Sequence, residues 1–373
     1  MEILKKKRLM IITHDLALGG LQQVVVNLCH KINRDIFDVF VLCLRTLGDY
    51  APELEKAGIK VILLPHNKNG VDYFAFLKAA KILKQEKIDI LHTHNTQPFI
   101  DGVIGGLLAG VKTIVHTDHA RAFPDKRRYM FAEWILSHFI YKVVAVSQHT
   151  AQNLIKYEKI SPRKIAVIPN GIDGGKYAIT IDKNKKRDEL GITNQGPIIG
   201  IGVRLCEQKG ITYLLKAMPR IIKDFPDCTL VIAGRGPLEE NLKKEAEDLG
   251  ILPNVKFIGM RLDVPALLKL FDVYVLPSLW EGMPMVLLEA MAAECAIVAT
   301  DVGGVATVIS SGKTGILIPA KSEDEIAGAV LKILNDSTAR KQMVKNAKQL
   351  FNEKYDARIM TKEYESLFLK EII

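Results

Sequence analysis

The sequence predicts an α/β protein built from two successive, doubly wound parallel sheets. Short runs rich in Val, Ile and Leu alternate with amphipathic segments along both halves. That is the pattern of repeated βαβ units whose strands are covered on both faces. Midway, a dense cluster of turn formers, Pro169-Asn170-Gly171-Ile172-Asp173-Gly174-Gly175, and a polar run at 183–187 interrupt the alternation, placing a domain boundary near 174–195. A chain of 373 residues also exceeds what one hydrophobic core ordinarily serves, so two domains are expected.

Taken in order, strands are expected at 9–13, 37–44, 60–64, 89–93, 113–117, 143–147 and 166–168. Helices among them are expected at 21–31, 73–86, 102–108 and 129–139. The second half gives strands at 198–203, 229–233, 255–258, 273–276, 296–299 and 315–318. Its helices fall at 211–223, 238–249, 264–270, 284–293, 323–335 and 338–353, with a last one at 356–371 after a break near Lys354-Tyr355. The domains are therefore read as 1–175 and 176–353, with 354–373 a terminal helix. Ligands of open α/β sheets sit at the carboxyl ends of the strands, so two such halves predict a cleft between them.

Bulk composition narrows the class. With 48% hydrophobic and 25% charged residues the chain is an ordinary globular protein. No apolar run approaches the ~18 residues that span a bilayer. Lys5-Lys6-Lys7-Arg8 precedes an apolar run too short for a signal sequence, which reads instead as a first strand. Five scattered cysteines without metal or redox spacing fit a reducing cytoplasm. Residues 1–175 hold 24 Lys and Arg against 16 Asp and Glu, hence eight of the nine net positive charges, and all nine histidines. An anionic partner on that side would explain the surplus, as would a solvated lysine-rich surface.

Trp280-Glu281-Gly282-Met283-Pro284-Met285-Val286-Leu287-Leu288-Glu289-Ala290 straddles a strand–loop–helix junction. Pro near a first helical turn is expected, because its missing N–H is unpaired there anyway. Helix-start amides attract phosphate and carboxylates accept hydrogen bonds from hydroxyls. Two acids with seven residues between them, one in the loop and one in the helix, thus suit a ligand carrying phosphate and polyol, as a nucleotide sugar does. Gly202-Val203-Arg204-Leu205-Cys206-Glu207-Gln208-Lys209-Gly210 follows the first strand of the second half. Its Arg and Lys could hold a diphosphate and stabilise it as it leaves, although a solvated loop needs the same residue types.

In the first half, Gly19-Gly20 ends the turn after the first strand and would let backbone approach a ligand, or simply make a tight turn. It is not a G-x-G-x-x-G dinucleotide finger. His14, His92, His94, His116 and His119 lie at strand ends, where a neutral donor or acceptor toward a sugar, with His119 foremost, competes with a metal-ligand reading. Lys78, Lys81, Lys84 and Lys87 make a basic stripe, and Arg127-Arg128 with Tyr129, Met130, Phe131 and Trp134 a second basic-aromatic patch. Either could dock on anionic lipid headgroups or be a solvated helix face.

Together these residues resemble the retaining glycosyltransferases of family 4, the glycosyl transferases group 1, and the likeness covers nearly the whole chain. The resemblance implies the GT-B architecture, two Rossmann-like domains facing a central cleft. Residues 202–210 match the family's Gly-x-Arg-x₄-Lys-Gly element, implying Arg204 and Lys209 as diphosphate binders. Residues 281–289 match its E-x₇-E element, implying Glu289 on the ribose hydroxyls and Glu281 close to the donor sugar. Gly282, Met283, Pro284 and Met285 would line sugar and phosphate. Gly19 and Gly20 match the first-domain glycine loop, and His119 falls where the family places a histidine beside the sugar. Gly234 and Gly236 in 231–237, with Met260 and Arg261, resemble segments bordering the base. The last helix would cross back to the first domain. Two stretches depart: Leu21-Gln22-Gln23-Val24, where an acidic and a basic residue are common, and 302–307, which lacks the usual Pro-Glu.

The resulting expectation is a metal-independent, cofactor-free enzyme moving a hexose, with retention, from a nucleotide diphosphate sugar (UDP-sugar foremost) to a lipid-linked or polysaccharide acceptor. It would work in the cytoplasm, at the inner membrane face. A sugar-nucleotide epimerase of the same architecture and a non-catalytic glycan-binding protein are the alternatives. Nucleic acid is disfavoured as a partner because no aromatic-basic RNA motif appears.

Overall fold

The computed structural model describes residues 6–65, 72–119 and 125–370; Lys5 and Glu371, which fall in stretches named above, lie outside them. Among the described residues thirteen strands form two sheets. The first sheet comprises β1 (Lys7–Thr13), β2 (Phe37–Cys43), β3 (Lys60–Leu63), β4 (Ile90–His94), β5 (Thr113–Asp118), β6 (Lys142–Ala145) and β7 (Ile165–Val167), in the order β3-β2-β1-β4-β5-β6-β7. The second comprises β8 (Ile198–Gly202), β9 (Thr229–Ala233), β10 (Val255–Gly259), β11 (Val273–Leu276), β12 (Ala296–Thr300) and β13 (Ile316–Ile318), in the order β10-β9-β8-β11-β12-β13. Every pairing is parallel. The helices are α1 (Gly20–Lys31), α2 (Ala51–Lys56), α3 (Ala75–Gln85), α4 (Thr96–Ala109), α5 (Arg127–Ser137), α6 (Gln148–Glu158), α7 (Lys183–Glu189), α8 (Ile211–Asp224), α9 (Glu239–Asp248), α10 (Val264–Leu270), α11 (Met285–Ala292), α12 (Val305–Val308), α13 (Glu323–Asn335), α14 (Ser337–Leu350) and α15 (Ala357–Leu369).

The chain divides into two compact units. One holds the described residues through Ile172 together with those from Asp356; the other is Asp173–Tyr355. The boundaries fall at Asp173 and Asp356, against the expected 176 and 354. The stretch 174–195, in which the boundary is expected, belongs to the second unit and is structured. Asp182 caps α7 by accepting from the amides of Asn184 and Lys185, so a run that looks like a solvated spacer is a helix with a side-chain start signal. Arg187 on α7 then donates to the carbonyls of Asn194 and Gly196.

In the first unit α4 begins at Thr96, six residues before the helix expected from its apolar residues. Its glycines are contact points: a Cβ on Gly102 would meet Thr93 Cγ2 at 2.7 Å, and one on Gly105 would meet the Phe76 carbonyl at 2.8 Å. Helix α6, not among the expected helices, is capped by Ser147, whose Oγ accepts from Thr150 N. From the residues alone that serine is the end of a strand. Helix α15 packs on α1 within this unit. Ala357 N donates to Ile172 O at 2.8 Å, Phe368 meets Phe37 edge-on at 6.1 Å, and the Tyr364 hydroxyl lies 2.9 Å from Thr117 Oγ1. The core of the second unit joins the strand interiors of β8, β9, β11 and β12 to the apolar faces of α8 and α13, including Leu214, Met218, Ile326 and Val330.

Candidate active site

The strand-end loops of the second unit interlock through backbone. Leu205 N donates to Arg235 O and Leu279 N to Gln208 O, while Gln208 Nε2 donates to the Trp280 carbonyl. Gly234, at φ 130°, passes so close to β8's loop that a Cβ would lie 1.9 Å from Val203 O; at Gly236 it would lie 2.2 Å from Leu205 O. Gly303, at φ 54°, lies against Glu281, whose carbonyl oxygen would be 1.8 Å from an added Cβ. Only glycine serves at Gly234 and Gly303, for both conformation and space. Thus the departure at 302–307 keeps a contact that fixes the Glu281 loop: Gly304 N donates to Glu281 O at 3.3 Å.

Within this frame Glu281 and Lys209 meet. Glu281 Oε1 accepts from Lys209 Nζ at 2.6 Å and from Ser278 Oγ at 2.7 Å, and the Glu281 side chain is only 6% exposed. Thr300 Oγ1 donates in turn to the Ser278 carbonyl, so the end of β12 braces the turn after β11. Glu289, on α11, is half-buried; burial pushes its carboxyl up, while a hydrogen bond from Tyr177 opposes that. Both acids bear on Tyr274, a fully buried phenol that donates to Gly202 O and is pushed well above its ordinary range by burial. Pro284 precedes α11, and no side chain caps its first turn. Gly282 and Met285 are half-buried beside it, and Met283 and Pro284 buried. Arg204 stands exposed on the loop that carries Lys209.

The turn after β10 carries an exposed methionine and a paired arginine. Met260 is 61% exposed. Arg261, expected to border the base, has its guanidinium taken up by Asp263 at 2.7 and 2.8 Å and by Glu189, and Lys186 also reaches Asp263. This four-residue ion cluster ties α7 to the start of α10 and holds the Asp263 carboxyl well below its usual range. A nucleotide contact from this turn would come from backbone or need Arg261 to change partners.

In the first unit Gly19 is extended (φ −179°) and caps α1 without a side chain; Gly19 and Gly20 are both exposed. Asp15 organises the same loop, its Oδ1 accepting from Ala17 N and Gln22 Nε2. At the ends of β4 and β5 the histidines form a cluster. His119 Nε2 lies 2.8 Å from His94 Nδ1, His92 Nε2 lies 2.7 Å from Thr117 Oγ1, and His116 Nδ1 lies 3.0 Å from Thr93 Oγ1. Burial lowers the imidazoles of His92 and His119 to about 3, and His94 well below its ordinary value. Among the described residues no three His, Cys, Asp or Glu side chains converge as a metal-ligand set; the strand-end histidines are engaged with one another and with Thr93 and Thr117.

Ser278, Tyr177 and Tyr274 adjoin the candidate acids without being announced by the sequence. The first carries a faint signal, a serine at the end of a buried strand three residues before the acid. The tyrosines carry none, because only the fold brings them to Glu289.

Comparison with known proteins fits this arrangement. Residues 18–175 match the family model described as Glycosyltransferase Family 4, and residues 182–350 the model described as Glycosyl transferases group 1. The UDP-Gal:alpha-D-GlcNAc-diphosphoundecaprenol alpha-1,3-galactosyltransferase of Escherichia coli is 31% identical over 331 residues, 86% of each chain. The phosphatidyl-myo-inositol mannosyltransferase of Mycolicibacterium smegmatis is 28% identical over 343 residues, 89% of this chain and 85% of that one. The fold is that of Anabaena HepE, solved with UDP: TM-score 0.84 at 22% identity, covering 96% of this chain and 98% of the other. The protein is a transferase, and it belongs to glycosyltransferase family 4, the glycosyl transferases group 1.

Proposed function

We propose that the protein moves a hexose from UDP-sugar to a hydroxyl of a lipid-linked or cell-surface glycan acceptor, with retention at the anomeric carbon and without a metal ion. The observation that carries this reading is the contact of Lys209 with Glu281 on interlocked strand-end loops, followed by a helix that carries Glu289 and whose start has no side-chain cap. Arg204 and Lys209 take the charge of the departing diphosphate, the role a divalent cation would otherwise fill. Glu289 accepts from the ribose hydroxyls, Gly282–Met285 offer backbone to sugar and phosphate, and Glu281 meets the sugar; on the first unit His119 offers a ring nitrogen to a sugar hydroxyl. The bond between anomeric carbon and diphosphate oxygen breaks; the acceptor oxygen bonds on the same face through a short-lived ion pair, and its proton passes to the departing diphosphate.

The UDP and lipid-linked parts of the reading are supported by the relatives. The E. coli galactosyltransferase is named for a UDP-sugar donor and a diphosphoundecaprenol acceptor, and the M. smegmatis enzyme for a phosphatidyl-inositol. Exposed side chains on the first unit add support for a lipid acceptor. Tyr73, Phe74 and Leu77 beside and on α3, Leu107 and Leu108 on α4, and Phe131 and Trp134 on α5 are all exposed, and α4 touches both its neighbours. Lys81, Lys84, Lys87, Arg127 and Arg128 are exposed among them. Lys78 is not part of this basic surface, since it is held by Asp72 and the Pro65 carbonyl.

The test is incubation with a panel of nucleotide sugars, alone and with lipid-linked glycans. Slow hydrolysis of one donor, accelerated transfer with acceptor, and an axial or equatorial linkage matching the donor support the proposal. Release of an isomeric nucleotide sugar without acceptor would make the protein an epimerase, and binding without turnover a lectin.

A further inference from the structure

Outside the charged site, histidines at the ends of β4 and β5 form a second cluster of titratable groups, and one pair in it is unusual. The rings of His94 and His119 lie 5.1 Å apart between centroids with planes only 24° apart, and His94 Nδ1 is 2.8 Å from His119 Nε2. Near-parallel rings meeting nitrogen to nitrogen share one hydrogen bond, in which one ring donates and the other accepts.

The surroundings decide which. His94 is fully buried, its ring packed against His92 with centroids 4.1 Å apart, and its Nε2 has no hydrogen-bond partner among the described residues. If His119 donated, a neutral His94 would have to carry its proton on that orphaned Nε2. A buried N–H without an acceptor is the rarer and costlier defect, whereas an unshared lone pair is better tolerated. Burial keeps both rings neutral, which removes the doubly protonated alternative. His92 obeys the same logic: its Nδ1 is orphaned, so its proton belongs on Nε2, facing Thr117 Oγ1.

We infer that His94 is a positioning residue that fixes the tautomer of His119, donating Nδ1–H to His119 Nε2 so that His119 carries its own proton on Nδ1. His119 therefore presents an N–H, not a lone pair, to whatever meets its Nδ1. That this partner is an oxygen of the donor sugar rests on the function proposed above; the tautomer itself does not.

The experiment is ¹⁵N NMR of the imidazoles in the whole chain at neutral pH, with His119 assigned by comparison with His119→Gln. The expected spectrum shows His119 protonated at Nδ1 and His94 protonated at Nδ1. His94→Leu should release the tautomer, so that His119 shows Nε2–H character, and should lower kcat/KM by about tenfold, the loss of one well-made hydrogen bond. His94→Asn, whose amide N–H falls near the position of Nδ1, should keep the wild-type tautomer and most of the activity. Nε2–H on His119 in the wild type would overturn the inference, as would a His94→Asn enzyme as impaired as His94→Leu, which would mean packing alone. Should His94→Leu not fold, the wild-type spectrum and His94→Asn decide. Full transferase activity in His119→Gln beside a wild-type Nδ1–H spectrum would remove the sugar contact and leave the tautomer assignment standing.

Discussion

Lys209 Nζ sits 2.6 Å from Glu281 Oε1, with both side chains largely withdrawn from water. The cation expected to hold a diphosphate and the acid expected to face a sugar are therefore each other's partners. A buried pair of this kind contributes less to stability than its geometry suggests, but removing one member strands the other.

It follows that Lys209→Ala should destabilise the second unit more than Glu281→Gln, since the glutamine side chain can still accept from Ser278 and Lys209. The Lys209→Ala, Glu281→Gln double variant should recover part of the loss, with a coupling of about 1–3 kcal/mol by thermal unfolding. On binding, Lys209→Ala should weaken UDP, whereas Glu281→Gln should leave UDP affinity intact and depress turnover. Additive unfolding free energies would show that the pair is not coupled.

Arg204 provides the cleaner test of leaving-group stabilisation, because it is exposed and its removal costs the fold little. Arg204→Ala should keep the wild-type Tm while kcat falls roughly 10²–10³, about 3–4 kcal/mol of transition-state stabilisation. Turnover in the wild type should survive EDTA. An Arg204→Ala enzyme with normal kcat, or a wild type silenced by chelation, would sink the assignment.

The histidine cluster should make the first unit acid-labile. The folded-state pKa of His92 is lowered to about 3 by burial, from 6.5. The unfolded chain therefore binds the extra proton between these values, so stability is complete above about pH 6.5 and falls as pH drops toward 3. Chemical denaturation of the full chain across that window should show a slope of about 1.4 kcal/mol per pH unit for each such histidine. His92→Asn should be less stable at pH 7 yet shed one proton's worth of slope; an unchanged slope would show that His92 does not titrate on unfolding.

The architecture is legible in the chain because parallel strands covered on both faces are continuous apolar runs. β9, β11, α10 and α13 begin and end where the residues alone put them. The polar stretch 183–187 misleads because solvated helices and linkers share a composition, and only the Asp182 cap distinguishes them. At the site, residue types at fixed spacing announce Arg204, Lys209, Glu281 and Glu289. Their partners are not legible, since Ser278 on Glu281 and Tyr177 on Glu289 are relations of the fold. Arg261 shows the converse: a cation in the expected place whose charge is already claimed by Asp263 and Glu189.

The exposed surface of α3, α4 and α5 gives the proposed lipid acceptor its own measurement. Phe74 at 64%, Phe131 at 61% and Leu108 at 59% exposure are a poor surface for water, and the exposed lysines and arginines among them suit anionic headgroups. No described helix is long and apolar enough to cross a membrane, and the attachment proposed is to the membrane surface. Flotation with vesicles should show binding that rises with phosphatidylglycerol content and weakens between low and physiological salt, as screening shortens the reach of each charge. Lys81→Glu with Lys84→Glu should remove most of the salt-sensitive part, at about 1 kcal/mol for each lysine near the surface. Phe131→Ser with Trp134→Ser should weaken binding at every salt concentration, because it removes the inserted apolar area. Salt-independent or absent binding, with transfer to a water-soluble acceptor intact, would assign this surface to solvent and the acceptor to solution.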